Sequence, residues 1–152
     1  MKKNRLLFLL YGSVMLWLLF GQRLEGWGAE NYADALRQRI NLIPFDTINR
    51  FWWVLTNSHE RGKLVHAFIN LAGNVVMFVP LGLLLPKLFA PLRRFWMYLG
   101  VLLCLLVTVE LLQLVTLLGS CDVDDLILNL AGGIFGYVLW WIWEKFHKND
   151  TK

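Results

Sequence analysis

The feature that most constrains this chain is the stretch 95–118, an apolar run of membrane-crossing length that carries one formal charge, Glu110. A helix apolar on every face needs lipid or many neighbours around it. Two other runs share this character, 64–85 and 126–143, and a shorter one, 6–22, follows the basic start Met1-Lys2-Lys3-Asn4-Arg5. Hydrophobic residues make up 57% of the chain and charged residues 17%, which is too little polar surface for an ordinary soluble domain. The sequence therefore predicts an all-α membrane protein, a single domain over 1–152 with four transmembrane helices. The first run also has the basic and apolar regions of a secretory signal peptide. Gly21-Gln22-Arg23-Leu24 offers no small-x-small cleavage pattern, so an uncleaved span is expected, lengthened by Gly21 and Gln22.

Between the first two spans the chain turns polar, with an amphipathic piece predicted at 29–39. The segment 47–55 is too short to cross, and its Trp52-Trp53 pair suits the headgroup level, so an interfacial or re-entrant helix is expected in this first outer loop. Pro86 reads as the stop of the second span. Trp140-Trp141-Ile142-Trp143 reads as an interfacial belt at the cytoplasmic end. The net charge of +4 acts as a topology signal. The basic start, the loop holding Lys87, Arg93 and Arg94, and the tail with Lys145 and Lys148 fall on one side of four crossings. That arrangement places both termini in the cytoplasm. No basic cluster interleaves with aromatics, so nucleic acid is not an expected partner. Cys104 and Cys121 match neither a disulfide framework nor a zinc spacing.

An acidic residue at the centre of a spanning helix costs about 2.5–3.5 kcal/mol, so Glu110 must pair with something or be used. Polar stripes accompany it. His66, Asn70 and Asn74 recur every four residues on one face of the second span, and Glu110 and Gln113 share a face of the third. Asp122, Asp125 and Asn129 descend along the fourth, followed by Gly132-x-x-x-Gly136, a spacing that permits close helix approach. All lie in the outer halves of their helices, which predicts a shared outward-facing polar pocket built from Asn70, Asn74, Glu110, Gln113, Asp122, Asp125 and Asn129. Asp124 lies off the stripe and reads as a solvated helix cap, Asp122 can serve as an N-cap, and His66 reads as a wet rim residue. The competing reading makes the amides and the carboxylic acid packing glue between helices.

Several chemistries fit such a pocket. Glu110, Asp122 and Asp125 are the candidates for acid–base work, with Glu110 desolvated. No resident cofactor is expected, although hard oxygen ligands at the acidic hinge, Asp122 to Asp125, could take a divalent cation such as Mg²⁺ or Ca²⁺. The chain lacks a nucleophile elbow, an H-E-x-x-H pair and a phosphate-cradling glycine loop. Recognition of a lipid headgroup or lipid-linked sugar is the third option.

Asn41-Leu42-Ile43-Pro44-Phe45, Asn70-x-x-Gly73-Asn74-x-x-x-Phe78-x-Pro80-x-Gly82, Glu110-x-x-Gln113 and Asp122-Val123-Asp124-Asp125-x-x-x-Asn129-x-x-Gly132 occur in that order. By their order and spacing, over about 41–136, the chain resembles the VanZ-like family of small bacterial membrane proteins. Many members carry an arginine shortly before the first aspartate, where this chain has Gly119-Ser120-Cys121. The resemblance implies a multi-pass cell-membrane protein of bacteria. The family's namesake is linked to low-level resistance to teicoplanin, a glycopeptide with a lipid tail. The expected function is binding or modification of a cell-envelope component at the outer leaflet, with the bilayer and a lipid-linked precursor or lipid headgroup as partners. The rivals are an enzyme acting on a lipid-linked precursor, a small proton-coupled transporter and a scaffold.

Overall fold

The computed structural model describes residues 2–21 and 31–149. Gln22 of the expected first span, and Ala29 and Glu30 of the amphipathic piece, lie outside them. In chain order the elements are α1 (Lys2–Phe20), α2 (Tyr32–Gln38), β1 (Ile40–Asn41), α3 (Asp46–Asn57), α4 (Arg61–Leu88), a 3₁₀ turn (Ala90–Arg93), α5 (Phe95–Val115), β2 (Cys121–Asp122) and α6 (Val123–Asn149). Among the described residues three helices are long and apolar enough to cross a bilayer: α4, α5 and the stretch Val123–His147 of α6. A shorter apolar helix covers Asn4–Phe20. The architecture is that of an all-α membrane protein, with one addition: β1 and β2 pair in parallel, Ile40 with Cys121 and Asn41 with Asp122.

Helices α4 and α6 form the centre. A Cβ at Gly132 would run into the carbonyl of Val75, one at Gly136 into the carbonyl of Val79, and one at Gly82 into the carbonyl of Gly133. Contacts one turn apart advance in the same direction on both helices, so α4 and α6 run parallel with their backbones touching. Helix α5 carries the chain back to the other end and packs against α6. Its Tyr98 is fully buried, donates its hydroxyl to Gly133 O at 2.7 Å, and stacks on Tyr137 at 4.6 Å. Phe78, Leu102 and Leu106 complete this core. Helix α1 is fastened at two levels, by Tyr11 donating to Met77 O at 2.8 Å and Gln113 donating to Leu19 O at 3.0 Å. Its C-terminal end therefore lies level with that of α5.

Two helix ends and one side-chain placement differ from the sequence expectation. Helix α4 continues through Pro86 to Leu88. Proline removes one donor and pushes on the carbonyl four residues back; here that residue is Gly82, which has no side chain to add to the crowding. Helix α5 stops at Val115 rather than 118 because Leu117 takes a left-handed backbone (φ 55). Gly119 N–H then returns to Gln113 O at 3.1 Å. Trp140 is only 4% exposed and belongs to the core rather than to an aromatic belt, whereas Trp141 and Trp143 are exposed. It packs against Tyr137, whose ring places it inside the bundle.

Elements α2, β1, α3 and β2 gather at one end of the bundle as a polar roof. Helix α3 forms where the interfacial helix was expected, with Trp52 and Trp53 both exposed and Phe51 set against His66 at 5.6 Å. The opposite end carries Lys87, Arg93, Arg94 and Lys145.

Candidate functional site

The acidic hinge joins roof to bundle. Asp122 is the N-cap of α6: its Oδ1 accepts from Asp124 N–H at 2.9 Å, the side-chain-to-backbone bond that starts a helix. Its Oδ2 accepts from Thr47 Oγ1 at 2.7 Å and from Asn41 Nδ2 at 3.2 Å. The β1–β2 register supplies this contact, since it sets Asn41 beside Asp122. The Asp122 N–H donates to Glu110 Oε2 at 3.3 Å, so the intramembrane carboxylate of α5 is turned toward the hinge.

Asp124 corrects the sequence reading. It is fully buried rather than solvated, and the helix it caps is not its own. Its two oxygens accept from Phe45 N–H at 2.6 Å and Ile48 N–H at 3.0 Å, at the start of α3. Phe45 sits in the left-handed region at φ 65, a conformation that costs a non-glycine residue about 1–3 kcal/mol and persists only where its surroundings impose it. The Asp124 carboxylate imposes it here, and a negative charge also suits a helix N-terminus. Leu117, the other left-handed residue among those described, is held in a similar way. Its carbonyl accepts from the Arg39 guanidinium, which also reaches Gly119 O at 3.4 Å. Arg39 thus lies against the stretch just before the hinge, and Cys121 N–H donates to Arg39 O at 2.8 Å.

The expected site residues divide into two groups. Glu110 and Asp122 meet at the hinge. Asn74 and Asp125 meet across the α4–α6 seam, Nδ2 to Oδ1 at 2.5 Å. Gln113 is buried but turned away, toward α1 and Leu19 O. Asn129 is 3% exposed, and its Oδ1 and that of Asn70 are buried without a hydrogen-bond partner. A buried, orphaned amide carbonyl costs about 1–3 kcal/mol, which marks it for explanation. Sequence reasoning left three contributors out of the site, namely Arg39, Asn41 and Thr47. The available signal was that Asn41 opens the Asn41-Leu42-Ile43-Pro44-Phe45 motif and that Thr47 follows two residues after it.

Chemically, both oxygens of Asp122 and of Asp124 already accept donors of the protein itself. Among the described residues no group of three or more His, Cys, Asp or Glu side chains is arranged to hold a metal ion. Burial pushes the Cys121 thiol above its usual range, and the adjacent Glu110 and Asp122 carboxylates add to the shift, so it is a poor nucleophile at neutral pH. The α4–α6 seam instead carries the Asn74–Asp125 pair together with the two orphaned carbonyls of Asn70 and Asn129.

Comparison with known proteins places this geometry in a lineage. The chain is 29% identical over 150 residues to Protein VanZ of Enterococcus faecium, an alignment covering 98% of this chain and 80% of that protein. No solved structure matches it. The family model described as VanZ/LLP1 matches residues 8–144, and the chain belongs to that family.

Proposed function

We propose that the roof faces the outside of the cell, with both termini in the cytoplasm. In this reading the α4–α6 seam beneath the roof binds a donor-rich envelope component, a lipid headgroup or a lipid-linked precursor, at the outer leaflet. Occupancy of that site lowers susceptibility to lipidated glycopeptides such as teicoplanin. The observation that carries the reading is the pair of buried, unpartnered carbonyls of Asn70 and Asn129 beside Asp125. Sugar hydroxyls or peptide amides would supply the missing donors. Binding at one face is favoured over passage through the bundle because, beyond Asn129, the seam is closed by backbone contact at Gly132 and Gly136.

The test is teicoplanin and vancomycin susceptibility in a Gram-positive host expressing wild type, Glu110→Gln or Asp125→Asn at matched membrane levels. Protection by the wild type and its loss in Asp125→Asn, chiefly against the lipidated drug, supports the reading. Equal protection by all three reduces the seam to packing, and protection by none removes the link to glycopeptides.

A further inference from the structure

The end of the bundle away from the roof carries a second built feature. A cleft of about 260 Å³ opens between the 3₁₀ turn and α6, lined by Arg93, Trp140, Trp141, Glu144 and Lys145. Its cations are held in place. Arg93 donates Nε–H to Pro86 O at 3.3 Å and its carbonyl accepts from Tyr137 Oη at 2.7 Å. That anchoring fixes the guanidinium while its terminal amino groups lie beyond the bonded nitrogen. Lys145 Nζ lies 5.2 Å from the Trp141 ring centroid, and the ring face restrains the ammonium group through cation–π attraction.

We propose that this cleft binds the phosphate of an anionic phospholipid. Arg93 presents the planar fork that pairs with phosphate oxygens in a bidentate manner, and Lys145 adds a point charge from the facing wall. Glu144 leaves the lining with an excess of one positive charge, enough to favour an anionic over a zwitterionic headgroup. A lipid rather than free phosphate is the occupant because a second hollow, of about 400 Å³, adjoins the cleft. Trp141, Ile142, Lys145 and Phe146 line it, so the two share Trp141 and Lys145. Its apolar wall on the exposed face of α6 accommodates an acyl chain, for which inorganic phosphate has no counterpart.

The experiment is native mass spectrometry of the full-length protein in detergent with equimolar phosphatidylglycerol and phosphatidylcholine of identical chains. Wild type retains phosphatidylglycerol preferentially. Arg93→Gln and Lys145→Gln each reduce that preference about five-fold, the factor one surface cation contributes to binding an anionic membrane. Arg93→Lys keeps most of it, and Arg94→Gln, next in sequence but outside the lining, leaves it unchanged. Should Arg93→Gln fail to fold, Lys145→Gln decides alone. Absence of preference in the wild type overturns the proposal, as does a loss in Arg94→Gln equal to that in Lys145→Gln, which means diffuse attraction. Displacement of the lipid by millimolar inorganic phosphate overturns the assignment to a lipid.

Discussion

Replacing Asp124 with asparagine changes one atom and should release the roof. In the wild type both carboxylate oxygens accept backbone N–H groups, from Phe45 at 2.6 Å and Ile48 at 3.0 Å. Asparagine keeps one acceptor and points an amino group at the other N–H. A hydrogen bond to a charged group contributes about 1.5–3 kcal/mol, and a stranded buried donor costs about 1–3 kcal/mol. The two overlap, so the expected destabilisation is about 3 kcal/mol. The left-handed Phe45 lowers the resistance further, because letting α3 go relieves its backbone. For a chain of this size that loss corresponds to a fall of roughly 6–12 °C in the unfolding midpoint. The assay is thermal unfolding in detergent, with tryptic cleavage after Arg50 as the reporter of α3 release. Asp46→Asn is the control, because Asp46 pairs with Arg50 at 3.2 Å on the surface, where such pairs contribute under about 1 kcal/mol. A midpoint for Asp124→Asn within about 1 °C of wild type, with no added cleavage, refutes the trans-capping argument.

Further predictions come from other parts of the fold. Gly132→Leu should prevent accumulation of folded protein, since its side chain has to displace the Val75 backbone. Gly100→Ala, which meets nothing within 4 Å, should be silent in the same expression and gel-filtration assay. Gln113→Leu and Tyr11→Phe each remove one bond that ties down α1, and each should lower stability by about 0.5–1.5 kcal/mol in a denaturant titration. With its pKa raised, the Cys121 thiol holds less thiolate at a given pH than a free cysteine, so maleimide labelling should be slow at pH 7 and accelerate above pH 9. Glu110→Gln removes one of the carboxylates that raise it, and should speed labelling at fixed pH.

The bundle was legible because its signals are local. Runs of apolar residues give length, and Gly132-x-x-x-Gly136 announces a close helix contact that the structure makes against Val75 and Val79. The roof was not legible in the same way. Asp124 and Phe45 are 79 positions apart, and no periodicity within the α6 sequence reports that an aspartate off its polar stripe caps a different helix. Asn41 and Thr47 joined the junction through the two-residue β1–β2 pairing, which is too short to leave an alternating pattern. Gln113 shared a face with Glu110 in sequence, yet a buried amide takes the nearest acceptor, and here that was the end of α1. Trp140 looked like part of a belt because three tryptophans sit within four positions, but helical rotation points one of them inward.

Asn129→Leu separates a working site from packing. Leucine keeps the branched shape of asparagine and removes the orphaned Asn129 carbonyl; that relief offsets the extra bulk of its two methyl groups, so stability should hold. The decisive measurement is teicoplanin susceptibility of cells expressing Asn129→Leu, normalised to membrane level and unfolding midpoint. The account predicts that protection disappears while the midpoint holds. Protection equal to wild type, or protection lost together with stability, contradicts it.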